Sequence, residues 1–331
     1  MKNSILVTGG AGYIGSHVVK RLGQKGEQVV VLDNLSTGFS DAVLFGELVV
    51  GDTGDQSLVE RLLEEHAIDA VLHFAAHTIV PESVSDPLKY YGNNTCSTRS
   101  LLASCQKAGV RHFIFSSTAA VYGDLVDGVA REDSALAPLN PYGQSKLMSE
   151  LMLRDLCRAS DLRSVVLRYF NVAGSDTGGE IGQSTAKATL LIKVACEVAL
   201  GRRQKLQVFG TDYGTPDGTG IRDYIHVEDL AEAHIAALDY LRQGGDSTVL
   251  NCGYGHGFSV REVIDAVERV HGSSIEVEEV ERRPGDAPRL IADTAAIGRI
   301  LGWQPRLDDL DRIVETSLAW EKRLLKKRSS L

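Results

Sequence analysis

The sequence predicts an α/β protein in which a doubly wound parallel sheet is followed by a smaller mixed α/β lobe. Three observations support this fold class. Short, nearly continuous runs of Val, Ile and Leu alternate with helical patterns through the first half of the chain, as expected for strands that are covered by helices on both faces. A glycine-rich turn follows the first of these runs. After about residue 171 the pattern changes to Gly- and Asp-rich loops between shorter elements.

The first half contains six predicted strands separated by helices. The strands cover residues 5–7, 29–32, 48–50, 70–74, 112–115 and 164–167. The helices cover residues 16–22, 57–66, 87–107 and 141–159. Because ligands collect beyond the carboxyl ends of the strands in such a sheet, the residues directly after each run are the first candidates for a binding site.

The second half is predicted to be a smaller lobe. Its helices are expected at 189–200, 227–242, 260–271 and 310–322, and its strands at 206–209, 249–252 and 275–280. Residues 174–183 are predicted to form a long surface loop and a candidate lid. We therefore place a dinucleotide-binding domain at 1–172 and a second lobe at 173–331, and we expect parts of 221–253 to return to pack on the first domain.

Composition excludes several classes of function. The 331 residues carry a net charge of −9, from 44 acidic and 35 basic side chains, which argues against nucleic acid or an anionic membrane surface as a partner. The five cysteines form no C-x-x-C pair, as expected in a reducing compartment. The N-terminus does not have the pattern of a signal peptide, and no run approaches the roughly 18 apolar residues of a membrane span. A cytoplasmic location is the expectation.

The turn after the first strand has the pattern of a dinucleotide site. Glycines stand at positions 9, 12 and 15, between an apolar run and a helical pattern. Such a turn brings backbone N–H groups close to a pyrophosphate at the positive end of a helix. Asp33 follows the second run, at the distance where an acid binds the adenosine ribose. Together these features predict a Rossmann-type domain.

A second motif predicts acid–base chemistry. Tyr142 and Lys146 are four residues apart in a predicted helix, so the phenol and the ammonium lie on one face. A nearby cation favours the phenolate and lowers the pKa of a tyrosine. Such a tyrosine can remove a proton from a sugar hydroxyl. The pair alone is common on helix surfaces, but the dinucleotide turn and the cluster Ser116-Ser117-Thr118 favour a catalytic role.

These residues resemble the extended short-chain dehydrogenase/reductases and, within them, the UDP-glucose 4-epimerase family, which forms UDP-galactose. The resemblance covers the Gly-x-x-Gly-x-x-Gly turn, the Ser-Ser-Thr cluster, the Tyr-x-x-x-Lys pair and stretches in both lobes, including 218–230 and 282–293. It implies a bound NAD and a transient oxidation of the sugar at C4. Tyr142 would take the proton of the 4-hydroxyl, Thr118 would hydrogen-bond that oxygen, and Lys146 would hold the nicotinamide ribose and lower the pKa of Tyr142.

The resemblance also assigns binding residues. Those implied for NAD are Gly9, Gly12, Tyr13, Ile14, Gly15, Asp33, Asn34, Ser36, Thr37, Gly38, Asp52, Thr53, Phe74, Ala75, Ala76, His77, Asn94, Ser116, Tyr142, Lys146 and Phe170. Those implied for the nucleotide-sugar are Thr118, Tyr142, Asn171, Leu190, Gln207, Phe209, Arg222, Arg283, Asp286 and Leu290. No metal is implied. The family's dimer implies a homodimer in which the helices 87–107 and 141–159 of two subunits pair.

The chain departs from the family pattern at two substrate positions. It reads Thr189-Leu190-Leu191-Ile192-Lys193 where the family usually has His or Asn before Leu-Ile-Pro, so Leu190 cannot supply a polar contact. Leu290 stands where the family lines the 2-substituent of the sugar, and a leucine is intermediate between residues that admit and residues that obstruct an N-acetyl group.

Several alternatives stay open at this stage. UDP-N-acetylglucosamine or UDP-glucuronate 4-epimerisation would differ only in pocket contacts. A nucleotide-sugar 4,6-dehydratase is disfavoured because that family follows its Thr with Asp-Glu, whereas Thr118 precedes Ala119-Ala120. A non-catalytic NAD sensor would have no need of the Tyr142, Lys146 and Thr118 set.

Overall fold

The computed structural model describes residues 4–185, 188–283 and 286–329. Its strands are β1 Ser4–Thr8, β2 Gln28–Asp33, β3 Glu47–Val50, β4 Ile68–His73, β5 His112–Thr118, β6 Val129–Ala130, β7 Arg163–Tyr169, β8 Asn171–Ala173, β9 Leu206–Phe209, β10 Ile221–Arg222, β11 Tyr224–His226, β12 Thr248–Cys252, β13 Phe258–Ser259, β14 Val277–Val280 and β15 Arg289–Ala292. Its α-helices are α1 Tyr13–Gln24, α2 Gln56–Glu65, α3 Val80–Ser85, α4 Pro87–Tyr90, α5 Ser97–Ala108, α6 Pro141–Ala159, α7 Leu191–Ala199, α8 Val227–Arg242, α9 Val260–His271, α10 Ala295–Leu301 and α11 Leu310–Ser329.

A seven-stranded parallel sheet forms the centre of the protein. Its strand order is β12-β7-β5-β4-β1-β2-β3, and Val7 of β1 lies between Val31 of β2 and Leu72 of β4. The six strands predicted in the first half of the chain are all present in this sheet. The strand order reverses between β1 and β4. In such sheets a nucleotide binds at this point, beyond the carboxyl ends of the strands.

Helices cover both faces of this sheet, which explains why its strands are apolar throughout. Ile5 and Val7 point to a core shared with α1 and α8, whereas Leu6 points to the opposite core, shared with α2, α5 and α6. All three side chains are fully buried. Because successive residues of a strand face opposite sides, a two-sided cover buries every position of the run.

The second lobe and the large sheet exchange strands. The lobe holds a small sheet of order β13-β10-β15-β6 and two strand pairs, β8 with β11 and β9 with β14. The strand β6 comes from the first half of the chain, whereas β12, from the stretch 221–253, lies at the edge of the large sheet, where Leu250 pairs with Leu167.

The helix predicted at 87–107 is interrupted. It consists of α4, one π-helical turn at Tyr91–Cys96 and α5. The π turn holds Asn94, whose side chain accepts a hydrogen bond from the backbone N–H of His77 at 2.8 Å and donates one to its carbonyl at 3.0 Å. Single π turns of this kind are frequent at functional sites, and apolar periodicity does not reveal them.

The loop at 174–183 differs from the surface lid expected of it. Lys20 of α1 donates a hydrogen bond to Asp176 at 2.7 Å, and Ser175 donates one to the carbonyl of Thr316 in α11 at 2.6 Å. Both Ser175 and Asp176 are buried. The loop is therefore anchored from two sides by residues distant in sequence.

The longest helices of the described chain are α6 and α11, with 19 and 20 residues. Charged side chains recur along both of them. Within residues 4–185, 188–283 and 286–329, no helix combines the length and the apolar character that crossing a bilayer requires.

Candidate active site

The turn between β1 and α1 forms a cradle of backbone atoms. Gly9 has a φ of +71° and lies so close to the loop after β4 that a Cβ atom there would be 2.5 Å from the backbone nitrogen of Ala75. A Cβ at Gly15 would collide with the carbonyl oxygen of Gly9. Gly12 begins α1 without a side-chain cap, so the first N–H groups of the helix face outward, as a pyrophosphate site requires.

Asp33 ends β2 beside this turn. Its carboxylate accepts hydrogen bonds from the backbone N–H groups of Ala11, at 2.9 Å, and of Leu35, at 2.8 Å. Leu35 has a φ of 56°, a left-handed conformation that turns the chain sharply after the strand. The two bonds hold the carboxylate at the cavity wall and leave each oxygen capacity for a ribose hydroxyl.

The acid–base residues come from α6 and the end of β5. Asn140 caps α6 by accepting a hydrogen bond from the N–H of Gly143 at 2.9 Å, and this places Tyr142 in the first turn of the helix. Tyr142 is 8% exposed and Lys146 is 3% exposed. The Lys146 ammonium donates to the carbonyl of Ser116 at 2.8 Å. The Thr118 hydroxyl accepts a hydrogen bond from the N–H of Ala120 at 3.1 Å.

Burial controls the proton affinities of this set. It raises the pKa of Tyr142, and a hydrogen bond with Thr118 partly opposes this rise. Burial also lowers the pKa of Lys146 to about 7, although the Glu150 carboxylate raises it in part. The lowered pKa that the sequence predicts for Tyr142 is therefore not found, because burial outweighs the hydrogen bond. The Lys146 amine is directed at the carbonyl of Ser116.

One cavity of about 840 Å³ brings nearly all the predicted site residues together. From the predicted set, it is lined by Gly9, Gly12, Tyr13, Ile14, Gly15, Asp33, Asn34, Ser36, Thr37, Asp52, Thr53, Phe74, Ala75, Ala76, His77, Ser116, Thr118, Tyr142, Phe170, Asn171, Leu190, Gln207, Phe209, Arg222, Arg283, Asp286 and Leu290. Gly38, Asn94 and Lys146 lie behind the wall. The cavity therefore runs from the glycine turn, past Tyr142, to the second lobe.

The three residues behind the wall still shape it. Gly38 packs on Ala11, whose backbone a Cβ at position 38 would approach at 2.9 Å. Asn94 ties the loop at His77 to α6 through a hydrogen bond to Ser145 at 3.0 Å. Sequence pattern identifies such positions but does not distinguish a residue that touches the ligand from one that supports the wall.

The far end of the cavity carries the arginines. Arg222 forms an ion pair with Asp286, and its guanidinium also donates to the carbonyl of Ile221 at 2.8 Å. The guanidinium of Arg283 lies 3.6 Å from the centre of the Phe209 ring, a cation–π contact that fixes its position. Guanidinium groups offer paired donors to phosphate oxygens, so this end suits a diphosphate.

Three lining tyrosines, Tyr169, Tyr213 and Tyr224, were not predicted. The hydroxyl of Tyr169, at the end of β7, hydrogen-bonds to Ser116, and Tyr224 begins β11 beside Asn171. Tyr169 stands two residues after the strand predicted at 164–167, and this position was a signal for it. Tyr224 stands in a strand too short for a periodic pattern.

His73 and His77 do not form a metal site. The ring of His73 is buried between the hydroxyls of Thr8, at 2.6 Å, and Thr98, at 2.8 Å. Throughout the described part of the chain, no three His, Cys, Asp or Glu side chains come together as metal ligands. His73 instead links β1 and β4 to α5.

Comparison with known proteins identifies the family. The model of the NAD dependent epimerase/dehydratase family matches residues 5–253. The chain belongs to this family. The match confirms the resemblance, the fold class and NAD as the cofactor that the glycine turn and Asp33 indicate.

Individual members of the family are similar over nearly the whole chain. A UDP-glucose 4-epimerase of Azospirillum brasilense is 54% identical over 321 residues, which cover 97% of this chain and 92% of that protein. The solved UDP-glucose 4-epimerase from Brucella ovis, in complex with NAD, is 46% identical with a TM-score of 0.92 and covers 96% of this chain and 97% of its own. The UDP-Glc/GlcNAc 4-epimerase from Campylobacter jejuni is 49% identical with a TM-score of 0.86, covering 97% and 99%. This family member is therefore an NAD-dependent enzyme.

Proposed function

We propose that this enzyme interconverts UDP-glucose and UDP-galactose by inverting C4 of the sugar through a transient 4-keto intermediate. The observation that carries the proposal is the position of Tyr142 and Thr118. They lie in one cavity between the glycine turn and the arginines of the second lobe. The 54% identical relative is a UDP-glucose 4-epimerase.

The first part of the cavity fits NAD. Its backbone cradle at Gly9 leaves no room for a side chain, its helix terminus is uncapped, and Asp33 is held ready for a ribose. When bound, NAD supplies the reversible hydride exchange at C4. The protein contributes the position of the sugar and the handling of its proton.

Tyr142 holds and moves that proton. Its phenolic oxygen accepts the proton of the 4-hydroxyl as the carbonyl forms. The keto sugar then turns so that its opposite face is reduced, which inverts C4, and Tyr142 returns the proton to the same oxygen. The Thr118 hydroxyl donates a hydrogen bond to the sugar oxygen and stabilises the charge that develops there. Lys146, which lies behind the cavity wall with its amine on the carbonyl of Ser116, would have to turn towards the cavity to hold the ribose on the nicotinamide side.

The substrate is held at the far end of the cavity. Arg222 and Arg283 bind the diphosphate, while Asn171, Gln207, Phe209 and Asp286 surround the nucleotide. Leu290, in β15 beside β10, and Leu190 form apolar parts of this wall. Dehydration is disfavoured because Ala119 and Ala120, which follow Thr118 in the cavity wall, carry no group that exchanges protons.

The test is to incubate the purified protein separately with UDP-galactose and with UDP-N-acetylgalactosamine, with and without added NAD, and to separate the products by chromatography. Formation of UDP-glucose is the expected result. Conversion of both substrates would extend the proposal to N-acetyl sugars, as in the Campylobacter jejuni relative. No conversion of either would contradict it and direct the search to UDP-glucuronate.

The partner we propose is a second copy of this chain. Met148 and Leu151 lie exposed on the outer side of α6, and a four-helix contact between two subunits would cover them. The wild-type protein is expected to sediment at twice the mass of one chain at micromolar concentration. The double variant Met148→Glu/Leu151→Glu should sediment as a monomer, and Val126→Glu, at an exposed site outside α6, should not. A wild-type monomer would contradict the dimer.

A further inference from the structure

We infer that a buried charge network, formed by Lys193, Glu197, Arg202, Arg203 and Glu321, positions the wall of the cavity in the second lobe. Lys193 is the positioning residue that connects this wall to the C-terminal helix α11. We call these five residues the wall network. The inference rests on the proposed function for its substrate but concerns residues that do not touch the reacting atoms.

The network joins α7, the turn that follows it and α11. Lys193 lies 3.4 Å from Glu197, one turn further along α7, and also contacts Glu321 of α11. Arg202 pairs with both carboxylates, and Arg203 pairs with Glu197. Lys193 is 5% exposed and Glu321 is 2% exposed. Buried charges of this kind persist only where nearly every donor has an acceptor.

Two backbone carbonyls of the wall also accept hydrogen bonds from the network. The Lys193 ammonium donates to the carbonyl of Gln183, and the guanidinium of Arg203 donates to that of Ala188, both at 3.0 Å. Gln183, Ala188 and Arg203 themselves line the cavity. The network is thus bonded to the wall at Gln183 and at Ala188.

Two further contacts connect α11 to residues 174–183, the loop that precedes α7. The ring of Trp320 lies against Gly182, where a Cβ atom would be 2.6 Å from the ring, and the hydroxyl of Ser317 accepts a hydrogen bond from the N–H of Gly174 at 3.0 Å. Neither residue lines the main cavity. This part of α11 therefore acts on the site through the wall.

The location of the network predicts which step it affects. Tyr142 and Thr118 belong to α6 and β5, which the network does not contact in its described interactions. A displaced wall therefore weakens binding of the nucleotide-sugar without altering the proton chemistry. Loss of binding that is equal in the ground and transition states raises KM and leaves kcat unchanged.

Lys193→Met is the first test. Methionine keeps most of the apolar stem. Its introduction removes one of three cations and leaves two cations facing two carboxylates, so neither carboxylate is left without a cation. We expect the KM for UDP-galactose to rise about tenfold, with kcat within a factor of two and an unchanged content of bound NAD. Calorimetry with UDP, which needs no turnover, should show the same loss of affinity.

The matched control is Arg269→Met, which breaks an exposed ion pair between α9 and Asp311 of α11 without touching the wall. It should leave KM and kcat unchanged. Glu321→Gln, which keeps the volume of the side chain, is measured alongside and should raise KM in the same way.

Three results would overturn the inference. The first is an unchanged KM and UDP affinity in Lys193→Met, and the second is a fall of kcat alone in that variant. The third is loss of the folded state in both network variants, measured by circular dichroism, which would show that the network supports the whole fold. A wild-type protein that binds UDP but converts no UDP-galactose would contradict the proposed function instead, and the UDP titration would still test the wall.

Discussion

Tyr142 combines two requirements that oppose each other. In the proposed mechanism it must be shielded from water in order to act on one hydroxyl of a sugar, and that burial raises its pKa. A raised pKa makes the phenolate a stronger base but a rarer one at neutral pH. The hydrogen bond with Thr118 lowers the pKa in part, which favours the base form of Tyr142.

Tyr142→Phe is expected to reduce kcat by about 10²- to 10⁴-fold, the usual contribution of a general base. Only the hydroxyl is removed, so the fold and the bound NAD should persist. A coupled assay of UDP-glucose formation measures the effect, and Tyr240→Phe, on α8 outside the cavity, is the control. Turnover that stays within tenfold of the wild type would assign the proton transfer to another group.

The helix α6 is held against the sheet by a buried ion pair. Arg168 of β7 donates a hydrogen bond to Glu150 at 2.6 Å, and Ser117 of β5 donates to the same carboxylate. Arg168 also contacts the hydroxyl of Tyr122 at 3.0 Å. Because Glu150 is two turns beyond Tyr142, this contact fixes the rotation of the helix and thereby the direction of the phenol.

Glu150→Gln is expected to lower the free energy of unfolding by about 3–5 kcal/mol, because it leaves the charge of the 4% exposed Arg168 without its partner. Urea denaturation followed by circular dichroism gives the value. The exposed pair of Arg154 and Asp155 on the same helix provides the control, since Asp155→Asn should cost less than about 1 kcal/mol. Equal losses in the two variants would refute the role given to burial.

The molecule as a whole keeps four histidines buried and neutral. Burial lowers the pKa of His17 and His234 to about 4, and that of His73 and His226 to about 3. In the unfolded chain each would titrate near its ordinary value of 6.5. Between these values the unfolded state binds more protons than the native one, so stability rises with pH.

The protein should therefore lose stability as the pH falls from about 6.5 towards 4. Each histidine approaches a loss of about 1.4 kcal/mol per pH unit. Asp223 opposes this trend, because burial raises its pKa to about 6 and it gains a proton in the native state. Urea midpoints measured at half-unit steps of pH test the sum, and a midpoint that is constant or rises on acidification would contradict it.

Local pattern was sufficient to predict much of the fold and of the NAD half of the site. The run Ile5–Val7, the glycines and Asp33 lie close together in sequence. Their residue types alone indicate a buried strand, a tight turn and an acid that can bind a ribose. The family resemblance supplied the residues of the far end, including Arg222 and Leu290. The structure brings the glycines, Asp33, Arg222 and Leu290 to one cavity.

Features that depend on distant parts of the chain were not predictable in this way. The direction of the Lys146 amine, the π turn at Asn94 and the anchoring of residues 174–183 all arise from contacts between elements. The wall network is the clearest case, because Lys193 and Glu321 are 128 residues apart. Periodicity shows that a helix has a buried face, but it does not show which charged side chain of another helix packs against that face.

The exchange of β6 and β12 between the two sheets also bears on how the protein is made. During synthesis the edge of the large sheet beside β7 stays uncovered until residue 252 has left the ribosome, and β6 waits for β15, at 289–292, before it has a neighbour. A single cut between residues 173 and 247 would leave each fragment holding a strand of the other's sheet. A nicked chain would therefore remain one particle until it is denatured.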